Sequence, residues 1–231
     1  MQDATEDAPP KSDAERRAEV LIRRQKRNLR KAAAEGFLSG VAAMLRPGDL
    51  ALDCGANVGV VTRVLAATGA DVVSFEPDPF AFAKVQSAFG DHPRVELVNA
   101  AVGTTEGTVR LMRAENFDDN PAGASVKSTI LQGGRMIDEA AGIDVRMIDF
   151  PAYLEAKIAE RGEIAFVKMD IEGAELDLLE VMDRRGLLAH IRCLVAETHE
   201  RKFRDLRPRY RALRTLFAKK YPGGRVNLDW I

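Results

Sequence analysis

Two cysteines, one tryptophan and three tyrosines in 231 residues leave several functional classes without material. Cys54 and Cys193 each fall in or beside a strand-like run, so a disulfide between them is disfavoured, and neither is spaced as half of a metal-ligand pair. Reduced thiols of this kind suit a cytosolic home. Only 6% of the residues are aromatic, and the formal net charge is -1. The chain therefore lacks an obvious base-stacking stripe and an overall positive field, which opposes a nucleic-acid substrate. Long apolar runs are missing too. Nothing approaches the ~18 residues of a membrane span, and the opening MQDATEDAPP has no apolar signal-peptide core. A cytoplasmic location is expected.

The composition that remains, 46% hydrophobic and 30% charged, describes one globular domain with a short appendage. Residues 1–12, rich in Asp, Pro and Ala, read as a flexible lead. Residues 13–46 read as a helical extension, capped at Ser12 or Asp13 and broken at Gly36 before a second helix from Phe37 to Leu45. Arg16, Arg17, Arg23, Arg24, Lys26, Arg27, Arg30 and Lys31 make this extension basic. It is either a surface for RNA or another acidic partner, or a solvated face whose few Leu and Ile pack on the domain; we favour the second. Residues 47–231 form the domain itself.

The domain is organised around LALDCGANVGVVTRVL, from Leu50 to Leu65. A short apolar run ends in Asp53, small residues make a turn, and apolar residues resume at helical spacing, which predicts strand, tight turn and helix. Gly55 and Gly59 let the backbone take positive φ and let a ligand approach the main chain. Ala56 and Asn57 stand between them, so the spacing departs from the G-x-G-x-x-G of a dinucleotide fold, and Asp53 would repel a pyrophosphate but suit an ammonium group. The turn resembles motif I of the class I methyltransferases, which hold the methionine part of S-adenosylmethionine there.

A second strand, Asp71 to Glu76, ends in a carboxylate about twenty residues after the turn, where α/β nucleotide folds hold a ribose diol. Glu76 is the expected ribose ligand, with Pro77 beside it. A third strand runs from Val95 to Val98, and Asn99 and Ala100 at its end are expected to border an adenine. A buried strand from Ile164 to Met169 ends at Asp170, and a fifth from Ile191 to Ala196 ends at Glu197. Asp53, Glu76, Asn99 and Asp170 thus share the carboxyl edge of a parallel sheet, where ligands bind. Between them, Gly107–Arg113 and Ile143–Ile148 predict an antiparallel excursion, with Asn116–Ser128 as a lid and Ser125 as a polar contact. A single closing strand, Arg225 to Ile231, leaves a sheet edge that is short or completed by another chain, as in a homo-oligomer.

DCGANVG, FEPDP, NAAVG and VKMDIEGAE (Val167 to Glu175), in this order, resemble the FkbM family of methyltransferases over about two thirds of the chain. That resemblance implies a Rossmann-like α/β fold of about seven strands, S-adenosyl-L-methionine as cofactor, and O-methylation of a hydroxyl on a sugar, lipid or secondary metabolite. It places Asp53, Gly55, Ala56, Asn57 and Gly59 around the methionine part. Asp170 and His199 become the acid-base candidates, supported by Glu172 and Glu197. Class I O-methyltransferases also imply a divalent cation, here Mg²⁺ between Asp170 and Glu197. The rivals are an RNA 2'-O-methyltransferase, suggested by the arginine-rich extension, and a non-catalytic cofactor-binding module.

Overall fold

The computed structural model describes residues 12–114, 128–131, 137–221 and 224–230. Six strands form a sheet in which every pairing is parallel: β1 (Leu50–Cys54), β2 (Asp71–Phe75), β3 (Val95–Val98), β7 (Ile164–Met169), β8 (Ile191–Ala196) and β9 (Val226–Asn227). Their order is β3-β2-β1-β7-β8-β9, so the winding reverses between β1 and β7. This is a Rossmann-like α/β fold. Three further strands, β4 (Ala101–Gly103), β5 (Gly107–Ala114) and β6 (Ile137–Asp149), make a small second sheet with β6 parallel to β4 and antiparallel to β5. Among the described residues the mostly parallel sheet, expected at about seven strands, has six, and the expected antiparallel excursion belongs to a separate sheet of three. The excursion curls into its own sheet, with its own apolar cluster of Ala101, Leu111 and Val145.

The register sets the site. Cys54 pairs with Phe75 and Met169, Phe75 with Val98, and Met169 with Ala196. The next residues, Gly55, Glu76, Asp170, Asn99 and Glu197, therefore emerge level at one edge. Strand alternation supplies the cores. Leu50, Leu52 and Cys54 of β1 face a cluster that includes helices α4 (Phe150–Arg161), α5 (Glu175–Arg184) and α6 (Arg207–Lys220). Ala51 faces the opposite cluster, with α1 (Asp13–Met44) and α2 (Val60–Ala66). Helix α3 (Pro79–Phe89) begins on a Pro and is capped by Asp78, which accepts from the Phe80 N–H. Asp149 caps α4 in the same way through the Ala152 N–H.

Two sequence expectations for the extension are corrected. Helix α1 starts at a Ser12–Glu15 capping box and runs unbroken through Gly36. Nothing lies within 4 Å of where a Gly36 side chain would sit, and strong helix formers on both sides carry the helix past a single glycine's ~1 kcal/mol penalty. Its Leu and Ile pack on the domain only at the C-terminal end, through Leu38 and Leu45, whereas Leu21, Ile22 and Leu29 are exposed. Of the expected lid at 116–128, residues 116–127, Ser125 among them, lie outside the described residues.

Candidate functional site

The turn after β1 is built by contacts within the protein. Gly55 takes φ +80°, and a side chain there would collide with the backbone carbonyl of Asp170. The demand for glycine therefore comes from β7's end rather than from a ligand. Gly59, at φ +82°, likewise lets α2 rest on α3; an added Cβ would meet the Phe89 ring at 2.8 Å. Asn57 sits in the left-handed region, and its N–H donates to Glu76 Oε2 at 2.7 Å. The other oxygen of Glu76 accepts from the Asp78 N–H at 2.8 Å. Asn99 Nδ2 donates to the Glu76 carbonyl oxygen at 2.7 Å, and Arg113 grips Asp78 with two bonds of 3.1 Å. These contacts hold the β2 end rigidly.

Beneath the turn lies a buried charge pair. Lys168, 4% exposed, donates to the Gly55 carbonyl at 2.7 Å and faces Asp53 at 3.4 Å and Asp170 at 3.5 Å. Burial alone would lower the lysine's pKa, but the two carboxylates outweigh it and hold it above its ordinary value. Asp53 is fully buried and also accepts from Thr62 Oγ1 at 2.7 Å. Its expected contact with a ligand ammonium is corrected: the ammonium it meets is Lys168's.

Above the turn opens a cleft. Gly55, Asn57, Glu76, Pro77, Asp170 and Glu172 form its polar side, and Phe75, Ala100, Ala101, Val102, Leu111 and Ile130 its apolar wall. Two buried polar atoms there, Asn57 Oδ1 and Ser128 Oγ, have no hydrogen-bond partner among the described residues. Burial pushes the Glu76 carboxyl up to about 7 against the opposing pull of the Asp78 and Asn57 N–H bonds. Ala56, Gly59 and Asn99 support the cleft without lining it.

His199 lies on the far side of Asp170. Its Nε2 is 3.3 Å from Glu172, 3.9 Å from Asp170 and 4.0 Å from Glu197, and its Nδ1 is 3.1 Å from Glu175. Burial would depress its pKa, but hydrogen bonds and charges from Glu172 and Glu175 hold it up to about 11. A general base near the ordinary histidine range is therefore not what this geometry builds; His199 is a held cation that neutralises the carboxylates around it. Burial and neighbouring negative charge raise Asp170, and raise Glu197 to about 8. For Glu172, the His199 and Lys202 contacts outweigh burial and keep it low.

Among the described residues, Asp170, Glu175 and His199 offer three ligand atoms within 4.8 Å of one another. They do not fit Mg²⁺, which wants near-octahedral oxygen donors. His199 contributes nitrogen, and both Glu175 oxygens already accept backbone N–H bonds, from Ile171 at 2.8 Å and Gly173 at 2.9 Å. The expected cation between Asp170 and Glu197 meets the same obstacle, because the His199 imidazolium already faces both.

A family model described as the methyltransferase FkbM domain matches residues 53–221. The chain belongs to the FkbM methyltransferase family. The 31-O-demethyl-FK506 methyltransferase FkbM of Streptomyces tacrolimicus is 29% identical over 178 residues, covering 68% of this chain and 67% of that one. Among solved structures, the 23S rRNA methyltransferase ErmE matches 28% of either chain at 33% identity and a TM-score of 0.25. A TehB-like SAM-dependent methyltransferase from Corynebacterium glutamicum matches 33% of this chain and 41% of its own, at 27% identity and a TM-score of 0.23. Such short overlaps add no weight to the fold, which rests on the strand order.

Two residues central to this FkbM-family site went unassigned in the sequence. Glu175 holds the Asp170–Gly173 loop, His199 and, at 3.5 Å, the Tyr210 hydroxyl. Its signal was the third acidic residue of the KMDIEGAE run, placed in the first turn of α5. Ser128 reaches the cleft from the stretch expected to be a lid, and nothing local in its sequence marks it.

Proposed function

We propose that this FkbM-family methyltransferase uses S-adenosylmethionine to methylate a hydroxyl of a small-molecule acceptor, a sugar, lipid or secondary metabolite. One observation carries the reading: a buried carboxylate, Glu76, opens into an apolar-walled cleft at the point where the sheet's winding reverses. The residues present fit the cofactor. The apolar wall suits an adenine, Glu76 has lone pairs free for a ribose diol, and the orphaned Asn57 Oδ1 and Ser128 Oγ are acceptors awaiting donors. The relative in Streptomyces tacrolimicus is named for acting on 31-O-demethyl-FK506, which supports an oxygen acceptor.

Bound there, the cofactor supplies an electrophilic methyl group on a sulfonium. Asp170, at the cleft wall with its pKa raised, is the proton acceptor for the attacking hydroxyl. Lys168 fixes it from below, and His199, itself held by Glu172, faces its other side. The enzyme's task is alignment of an oxygen with the methyl group and removal of one proton.

Calorimetric titration with S-adenosylmethionine and S-adenosylhomocysteine tests the cofactor assignment. Micromolar binding is expected in the wild type. Glu76→Ala should weaken it at least about a hundredfold, since two charge-assisted hydrogen bonds at about 1.5 kcal/mol each are lost. Binding of neither ligand by folded protein, or an unchanged mutant affinity, would remove the reading.

A pH dependence follows from the raised Glu76. The ribose hydroxyls donate, so the ionised form binds; below about pH 7 a proton must first leave. Affinity for S-adenosylhomocysteine should fall about tenfold per pH unit on the acid side of that value, with proton release seen as a buffer-dependent enthalpy. A flat affinity from about pH 8 to about pH 5.5 would contradict it.

A further inference from the structure

None of residues 13–33 of α1 is buried. The domain holds the helix through Ala34, Leu38 and Leu45, with Phe37 and Val41 packed alongside. Leu21, Ile22 and Leu29 are 63%, 50% and 63% exposed. With Ala18, Ala32 and Ala33 they make a second apolar stripe. At 3.6 residues per turn it lies about 150° round the helix from the stripe that packs on the domain. Leu21 and Ile22 thus lie on the face turned from the packed stripe, and Leu29 at the edge of a groove shared with Arg201. The arc between carries cations. From Arg16 to Lys31 there are eight Arg and Lys and a single acidic residue, Glu19. Arg23, Arg24, Lys26, Arg27, Arg30 and Arg201, with Val20 and Leu29, line a groove that has no carboxylate among its described residues.

We infer that the projecting part of α1 is an in-plane anchor for an anionic lipid membrane surface. The stripe of Leu21, Ile22 and Leu29 would enter the headgroup and acyl boundary, and the flanking Arg17, Arg24 and Lys26 would reach lipid phosphates. The domain, on the opposite side of the helix, stays clear of the bilayer. Pairing of the stripe with a second copy would bring two rows of flanking cations together. Binding to RNA would leave the stripe in water, and residues 13–33 hold no aromatic side chain on which a base could stack. The inference does not depend on the cofactor assignment.

Flotation of the whole protein with phosphatidylglycerol–phosphatidylcholine vesicles, against phosphatidylcholine alone, reads this out. The wild type should float with the anionic vesicles only. Ile22→Ser/Leu29→Ser should weaken binding at least about tenfold, and Arg17→Gln/Arg24→Gln/Lys26→Gln about a hundredfold. Both variants change exposed residues and should keep the wild-type thermal melt. Three results would overturn the anchor. One is absence of flotation. Another is flotation that survives Ile22→Ser/Leu29→Ser, which reduces the helix to a polycation whose partner a random RNA would then reveal. The third is a sedimenting dimer that this double variant dissociates, which assigns the stripe to a second copy.

Discussion

Lys168→Met should cost about 3–5 kcal/mol of folding stability, the usual penalty for removing one partner of a buried ion pair. The substitution keeps the length of the side chain, so packing changes little. What changes is charge: Asp53, fully buried, loses the cation 3.4 Å away, and the Gly55 and Cys54 carbonyls lose their donor. In a chain of this size the loss corresponds to a fall in Tm of about 6–20 °C. It should also abolish cofactor binding, because Lys168 ties the β1 turn to the end of β7, the two walls of the cleft. Adding Asp53→Asn to the variant removes the stranded charge and should recover part of the stability. A melting temperature within a degree or two of wild type for Lys168→Met would show that this ion pair is not holding the turn.

Glu175→Ala should do comparable damage by a different route. Four donors converge on this fully buried carboxylate: the Ile171 and Gly173 N–H groups, His199 Nδ1 and, at 3.5 Å, the Tyr210 hydroxyl. Each orphaned buried donor costs about 1–3 kcal/mol, so a loss of about 3–5 kcal/mol is expected. Glu172 in this loop stands at φ +60°, and a loop freed from Glu175 should relax and carry Asp170 out of position. Methyl transfer should then fall by about a hundredfold or more. A purely structural role would not move the His199 titration, and this provides a separate readout. By NMR the wild-type imidazole should stay protonated through neutral pH, toward about 11, and in Glu175→Ala it should titrate at least about one unit lower. The sign of the stability effect follows. His199 has its folded pKa raised, so its contribution is full below about 6.5 and is lost as pH rises toward about 11. Wild-type stability should therefore decline across that window, and the variant's should decline less. An imidazole that titrates at its ordinary value in the folded wild type would contradict this account.

The strands and the turn after β1 were legible because each depends on a few adjacent residues. Apolar runs ending in Asp53, Glu76 and Asp170 announced parallel strands with polar ends, and the register brings those ends level. The family was legible too, in the runs DCGANVG, FEPDP and KMDIEGAE. What each of those residues does was less so. Asp53 and Asp170 look alike in the sequence, both strand-end acids, yet Thr62 and Lys168 occupy the first and the second lines the cleft. Gly55 reads as room for a ligand, but the crowding atom is a backbone oxygen 115 residues later, on Asp170 just past β7.

The sequence by itself determined the α/β alternation, the family, the glycine turn and the strand-end carboxylate Glu76, because period, turn chemistry and strand ends are local properties. Only the tertiary structure decided the second sheet, the withdrawal of Asp53 beneath the turn, the four carboxylates that turn His199 from a base into a cation, and the direction in which the apolar stripe of α1 faces. The physical reason is common to all four. A side chain's charge state and exposure are set by groups distant in sequence, and those become neighbours only when β7, β8 and the helices have packed.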